Sequence, residues 1–209
     1  MIGIVDYGRG NLRSVEKALA RLDFPAKIMS DPKELENVQG IILPGVGAFA
    51  DAMAALTEKG WVEPLRRFAD SGLPFLGICL GMQVLFDLGE EHGKHLGLGL
   101  LPGRVVRFPL GRKVPHMGWN TMHQENPSFL LEGIPDESFF YFVHSYFAVP
   151  KEPEVIIGSC EYGISFPALV GRDNVWGAQF HPEKSSPWGL KLLENFGKWV
   201  NSDAGVSGD

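Results

Sequence analysis

The chain has 209 residues, 44% hydrophobic and 21% charged, the size and composition of one soluble globular domain. A formal net charge of -6 argues against a nucleic-acid-binding surface, which carries a basic excess. The 2 cysteines, Cys79 and Cys160, form no CxxC pair, which excludes a disulfide scaffold and suits a reducing, cytoplasmic location.

The longest charge-free stretch, Ser71 to Phe86, is interrupted by Gly72, Pro74, Gly77 and Gly81. It is too short and too punctuated for a membrane span, which needs about 20 apolar residues. No basic segment precedes the first apolar run, so no secretory leader is expected.

The first half alternates strand and helix patterns. Ile2–Val5 is a short apolar run ending at Asp6 and reads as a buried strand. Asn11 is placed to cap a helix with apolar positions at Leu12, Val15, Leu19 and Leu22. Further strands are predicted at Ala26–Met29, Gly40–Leu43 and Pro74–Ile78. Helices are predicted at Ala48–Leu56, Pro64–Ala69 and Leu80–Leu88.

The second half changes character. A glycine-rich loop covers Gly89–Gly103. Short β-like runs follow at Val105–Phe108, Phe139–His144, Val155–Ser159, Ala168–Val170 and Val175–Gln179. A last helix is expected over Trp188–Val200, with residues 201–209 as a frayed tail. Alternating βα units imply an α/β fold with a mostly parallel central sheet flanked by helices. The later runs extend that sheet as an antiparallel or mixed edge, within one domain over 1–200.

Gly77-Ile78-Cys79-Leu80-Gly81 sits between a predicted strand and helix. It copies the G-x-S-x-G turn with sulfur for oxygen, placing Cys79 as a nucleophile on a tight elbow. The Leu80 amide faces such a site, and the helix start adds positive potential. The alternative is a buried structural cysteine, and Cys160, which has no such frame, is read that way. A thiol nucleophile needs a base and an orienting group. Among the six histidines, His181 is followed by a carboxylate at strand spacing, in His181-Pro182-Glu183. Residues i and i+2 share a face in an extended chain, and Pro182 holds His181 extended. An exposed loop histidine beside a solvated glutamate is the alternative. Glu90, Glu91, His92 and His95 read as a surface loop, because no further ligand stands at zinc-like spacing.

Gly45-Val46-Gly47-Ala48-Phe49-Ala50 fits G-x-G-x-x-A, a dinucleotide loop. It follows the third strand rather than the first, and it leaves the elbow unexplained. The competing reading is an oxyanion-hole segment, whose amides approach substrate because glycine has no side chain.

Together these stretches resemble one family, the class I, triad-type glutamine amidotransferases. Gly77-Ile78-Cys79-Leu80-Gly81-Met82-Gln83 and His181-Pro182-Glu183-Lys184-Ser185 look like its two signature stretches. Further segments are Leu43-Pro44-Gly45-Val46-Gly47-Ala48-Phe49, His116-Met117-Gly118-Trp119-Asn120, His144-Ser145-Tyr146 and the N-terminal Asp6–Leu12. They are similar to the subfamily of glutaminase subunits that serve imidazole glycerol phosphate synthases in histidine biosynthesis. One departure is Ser186, where glutamine often follows the second signature.

The resemblance implies hydrolysis of the glutamine side-chain amide by Cys79, His181 and Glu183. It implies an oxyanion hole from Val46 or Gly47 and Leu80, and glutamine binding by Gly45, Gln83, His144, Ser145 and Tyr146. The ammonia passes to a (β/α)8-barrel cyclase subunit in a heterodimer, with His116, Met117, Gly118, Trp119, Asn120 and Lys184 at the interface and Trp119 exposed. It implies no metal or organic cofactor, no nucleic acid and no membrane.

Overall fold

A computed structural model describes residues 1–111, 113–185 and 187–202. Ser186 and most of the tail, 203–209, lie outside the described residues. In chain order the first half comprises β1 (Ile2–Val5), α1 (Leu12–Arg21), β2 (Ala26–Met29), β3 (Gly40–Gly45), α2 (Phe49–Glu58), α3 (Val62–Asp70), β4 (Phe75–Cys79) and α4 (Leu80–Gln83). The second comprises β5 (Phe86–Gly89), β6 (His95–Leu96), β7 (Leu101–Arg107), β8 (His116–Gln124), β9 (Ser138–His144), β10 (Tyr146–Pro150), β11 (Ile156–Glu161), β12 (Ser165–Arg172), β13 (Val175–Ala178) and α5 (Trp188–Asn201).

The main sheet among the described residues runs β2-β1-β3-β4-β13-β12-β11-β8-β9. Its first five strands are parallel, and the pairs beyond β13 are antiparallel. The expected antiparallel extension is therefore present, except that β13 enters parallel beside β4. A second sheet, β10-β7-β5-β6, was not foreseen.

Side-chain alternation builds three layers. Ile2, Ile4, Ile42, Leu76 and Ile78 share one core with Val15 and Leu19 of α1 and Leu192, Leu193 and Phe196 of α5. Val5, Ile41, Leu43 and Phe75 point the other way, toward Phe49 and Leu56 of α2, Leu65 of α3 and Phe86 of β5. Strands buried on both faces need unbroken apolar runs, which is why β1, β3 and β4 are legible as sequence. Each fully buried large side chain contributes about 1.5–3 kcal/mol.

Three expectations need correction. The helix expected over Leu80–Leu88 stops at Gln83. Beyond it, Leu98 N–H donates to the Val84 carbonyl, and Leu100 and Leu101 N–H donate to that of Leu85. The incoming chain takes these acceptors, and Phe86–Gly89 becomes a strand. Second, β8 and β10 carry no clear alternation and were missed; in β8 only His116 and Met122 are buried. Asn11 does precede α1, but its side chain makes no capping bond.

Gly81 marks the tightest point of the frame. A Cβ there would overlap the Leu43 carbonyl oxygen, and one at Gly77 would lie 2.6 Å from the Gly81 oxygen. Gly81→Ala is expected to cost about 3 kcal/mol or more in urea unfolding, as overpacking against backbone does.

Candidate active site

Parallel pairing aligns the ends of three strands. Gly45 of β3 is the register partner of Cys79 at the end of β4. Ala178 of β13 pairs with Ile78 of β4, so the chain leaving β13 reaches His181 beside the same edge. Ligands bind at such carboxyl ends in parallel α/β sheets.

Cys79 has φ 56° and ψ -113°, a backbone state that L residues rarely adopt. This is the strained elbow inferred from its flanking glycines. The helix behind it is a single turn, so its dipole contributes less than a full helix would. The sulfur lies 3.9 Å from the Val143 carbonyl oxygen.

His181 is 2% exposed. Its Nδ1 lies 2.9 Å from Glu183 Oε1, and the Glu183 side chain is equally buried. Nε2 has no hydrogen-bond partner among the described residues, and the ring shares a cavity with Cys79. Burial lowers the His181 pKa, but Cys79 and Glu183 raise it further, to about 9. The ring is thus held as a proton donor beside the sulfur.

A clamp fixes this segment to β9. His181 N–H donates to the Tyr141 carbonyl at 2.9 Å. The Ser185 hydroxyl donates to the His181 carbonyl at 2.6 Å and accepts the Tyr141 N–H at 2.8 Å.

The cavity measures ≈ 220 Å³, the space of roughly seven waters at about 30 Å³ each, which suits one small polar molecule. Val46, Gly47, Leu80 and Gln83 line it, as do His144, Ser145 and Tyr146. Gly45 stands behind this wall, next to Cys79. The Gln83 amide nitrogen is already engaged, donating to the Tyr146 carbonyl at 2.9 Å and to Gln179 Oε1 at 3.0 Å.

Several lining or supporting residues escaped the sequence reading, Pro115 and Val143 among them. Glu91 was placed in a surface loop, yet it lines the cavity, and its carboxylate accepts the Phe49 N–H at 2.8 Å. Gln179 is fully buried, with its amide nitrogen 3.9 Å from the Cys79 sulfur. Its place immediately after the β13 run, two residues before His181, was the only available signal.

The segment His116–Asn120 lies on β8. Trp119 is 53% exposed and Met117 63%, but the His116 side chain is buried. This corrects its expected place at an interface: it stacks between Phe142 and Tyr162. Lys184 is exposed, while Gly118 and Asn120 are half-buried.

Glu183→Gln is expected to lower turnover by about 10²-fold or more, the scale of a positioned acid–base group. It also removes one cause of the raised His181 pKa. A raised histidine pKa contributes stability that is complete below the ordinary 6.5 and lost as pH rises through about 9. Urea unfolding across that window should show wild-type stability falling with pH, and a smaller fall in the variant.

The family model "Glutamine amidotransferase class-I" matches residues 3–199. A curated relative from Desulfitobacterium hafniense (strain Y51), "Imidazole glycerol phosphate synthase subunit HisH", is 76% identical over 207 residues, covering 99% of this chain and 98% of its own. A relative of the same name from Moorella thermoacetica is 56% identical and covers 95% of each chain. Among solved structures, "Structure of PurLQS from Thermotoga maritima" superposes with a TM-score of 0.77 at 19% identity, covering 96% of this chain and 98% of its own. "Crystal structure of glutamine amidotransferase" gives 0.76 at 23%, covering 96% and 99%. With the elbow cysteine and the His181–Glu183 pair at one sheet edge, the chain belongs to the class I glutamine amidotransferases.

Proposed function

We propose that this chain, as one amidotransferase unit over 1–200, is the glutaminase subunit of an imidazole glycerol phosphate synthase. The observation that carries the chemistry is the cavity shared by the strained Cys79 and by His181, itself held by Glu183. The name of the 76% identical relative carries the subtype.

In the proposed reaction the Cys79 sulfur attacks the side-chain amide carbon of glutamine. The Leu80 N–H and an N–H from Val46 or Gly47 stabilise the oxyanion. His181 gives its proton to the departing nitrogen, and ammonia leaves a γ-glutamyl thioester. His181 then takes a proton from water, which cleaves the thioester and frees glutamate. Glu183 holds the ring and stabilises its charged form, as an acidic third member does. The backbone around Gly45 and the wall from His144 to Tyr146 shape the glutamine pocket. Gln83 supports that wall, since its amide nitrogen already serves the Tyr146 carbonyl. Glu91 is the carboxylate available to the substrate's ammonium group. Glu91→Gln is expected to raise the KM for glutamine several-fold and to change kcat much less.

The ammonia passes to a (β/α)8-barrel cyclase subunit, with the two chains as a heterodimer in the cytoplasm. The face of the β8–β9 hairpin supports this reading. Met117, Trp119 and Phe139 are exposed there, with Trp119 beside Tyr141, and such apolar patches mark interaction sites. Lys184 emerges from the turn after His181. Among the described residues no helix is long and apolar enough to cross a membrane.

The deciding experiment measures glutamate release with and without the purified cyclase subunit and its nucleotide substrate. A sharp rise in the complex is expected, with the isolated chain nearly idle until the peptide at Val46 turns to complete the oxyanion hole. A fast isolated chain would discard that activation. Cys79→Ser should abolish glutamine-dependent product while leaving ammonia-dependent product intact. Trp119→Ala should weaken subunit association by about tenfold or more, as loss of a central aromatic does.

A further inference from the structure

At the cavity wall, two buried histidines meet ring to ring. His116 is 4% exposed and His144 6%, with His116 Nδ1 3.3 Å from His144 Nε2. Their other ring nitrogens are also engaged. His144 Nδ1 lies 2.8 Å from the Tyr146 carbonyl oxygen, and His116 Nε2 lies 3.3 Å from the Asn120 side-chain nitrogen.

The chemistry of these contacts leaves one arrangement of protons. A carbonyl only accepts, so His144 Nδ1 carries a hydrogen. In a neutral ring Nε2 then accepts, so His116 Nδ1 must donate. His116 Nε2 in turn accepts from the Asn120 amide, whose orientation is set independently: its nitrogen donates to the Glu161 carbonyl at 2.9 Å, and its oxygen accepts the Thr121 N–H at 2.9 Å. A proton added to either ring would set two N–H groups face to face. Burial lowers the pKa of both rings, that of His144 to about 3, so both stay neutral near pH 7. The surroundings are aromatic: Phe108, Phe142, Tyr162 and Phe166 surround His116, and a charged His181 further lowers the His144 pKa.

The chain of bonds ends on the catalytic side. The Tyr146 carbonyl also accepts from Gln83, which donates to Gln179, which in turn donates to the Cys79 sulfur. We propose that His116 and His144 are positioning residues: a one-way pair of neutral imidazoles that runs from Asn120 on β8 to the Tyr146 carbonyl and holds the substrate wall in register with the nucleophile. This rests on the glutaminase reading for its effect on turnover, but its proton arrangement does not.

Two measurements test it. Long-range nitrogen–proton NMR of the full chain at pH 7 should show both rings neutral, with the hydrogen on Nδ1, the less common form of a free imidazole. Either ring charged, or carrying its hydrogen on Nε2, overturns the proposal whatever the enzyme does. The second uses the complex with the cyclase subunit. His116→Phe keeps the stacking but removes the donor, leaving His144 Nε2 unpaired. The KM for glutamine should rise about tenfold, the effect of one orphaned buried acceptor, with kcat changed much less. His116→Asn, whose amide nitrogen falls near the place of Nδ1, should recover much of the loss. An unchanged KM in the folded Phe variant, or an Asn variant no better than Phe, overturns the positioning role. If the wild-type complex hydrolyses no glutamine, the functional reading fails while the NMR result stands.

Discussion

The site depends on the parallel register of β3, β4 and β13. Pairing Gly45 with Cys79 and Ala178 with Ile78 ends three strands at one edge. The 45–47 loop, Cys79 and His181 then arrive there without long connections of their own. A one-residue slip in a parallel strand would turn its side chains to the opposite face, and the two cores on either side of the sheet oppose that slip. The hydrophobic layers therefore do more than stabilise the fold. They set the distance between chemical groups that lie about a hundred residues apart in sequence.

Around that edge the chain holds costly local states. The positive φ of Cys79 costs of order 1–3 kcal/mol and persists only where its surroundings over-determine it. They do so here through the missing Cβ atoms of Gly77 and Gly81, which let one turn of helix lie directly on β3. On the other side the Ser185 hydroxyl ties His181 to β9. Cys79 and His181 are thus anchored to different strands of one sheet, an arrangement that fixes their approach more tightly than two loops would.

Four of the buried polar side chains beside the cavity form a connected set. Gln83, Gln179, His116 and His144 each have partners, which spares them the penalty of unsatisfied burial. Two atoms at the centre, His181 Nε2 and Glu183 Oε2, have no partner among the described residues. Unsatisfied buried groups are unfavourable in a structural core and useful in a reaction centre, where a passing substrate or water takes the bond.

Much of this was legible in the sequence wherever the physics is local. Unbroken apolar runs marked β1 and β4 to within a residue at either end, because strands buried on both faces tolerate no polar interruption. The glycines flanking Cys79 and the extended His181-Pro182-Glu183 spacing announced the elbow and the base with its carboxylate, because backbone sterics act over a few residues. The rest depended on distant partners. Val84-Leu85-Phe86 continues a helical pattern by itself and leaves the helix only because 98–101 claims its carbonyls. Glu91 reads as a solvated loop acid and His116 as a surface residue until β8 pairs with β9 and buries one while the cavity admits the other. Sequence alone singled out Cys79, His181 and Glu183. Tertiary structure decided which of them meet, since burial and hydrogen-bond partners come from segments that no local pattern connects.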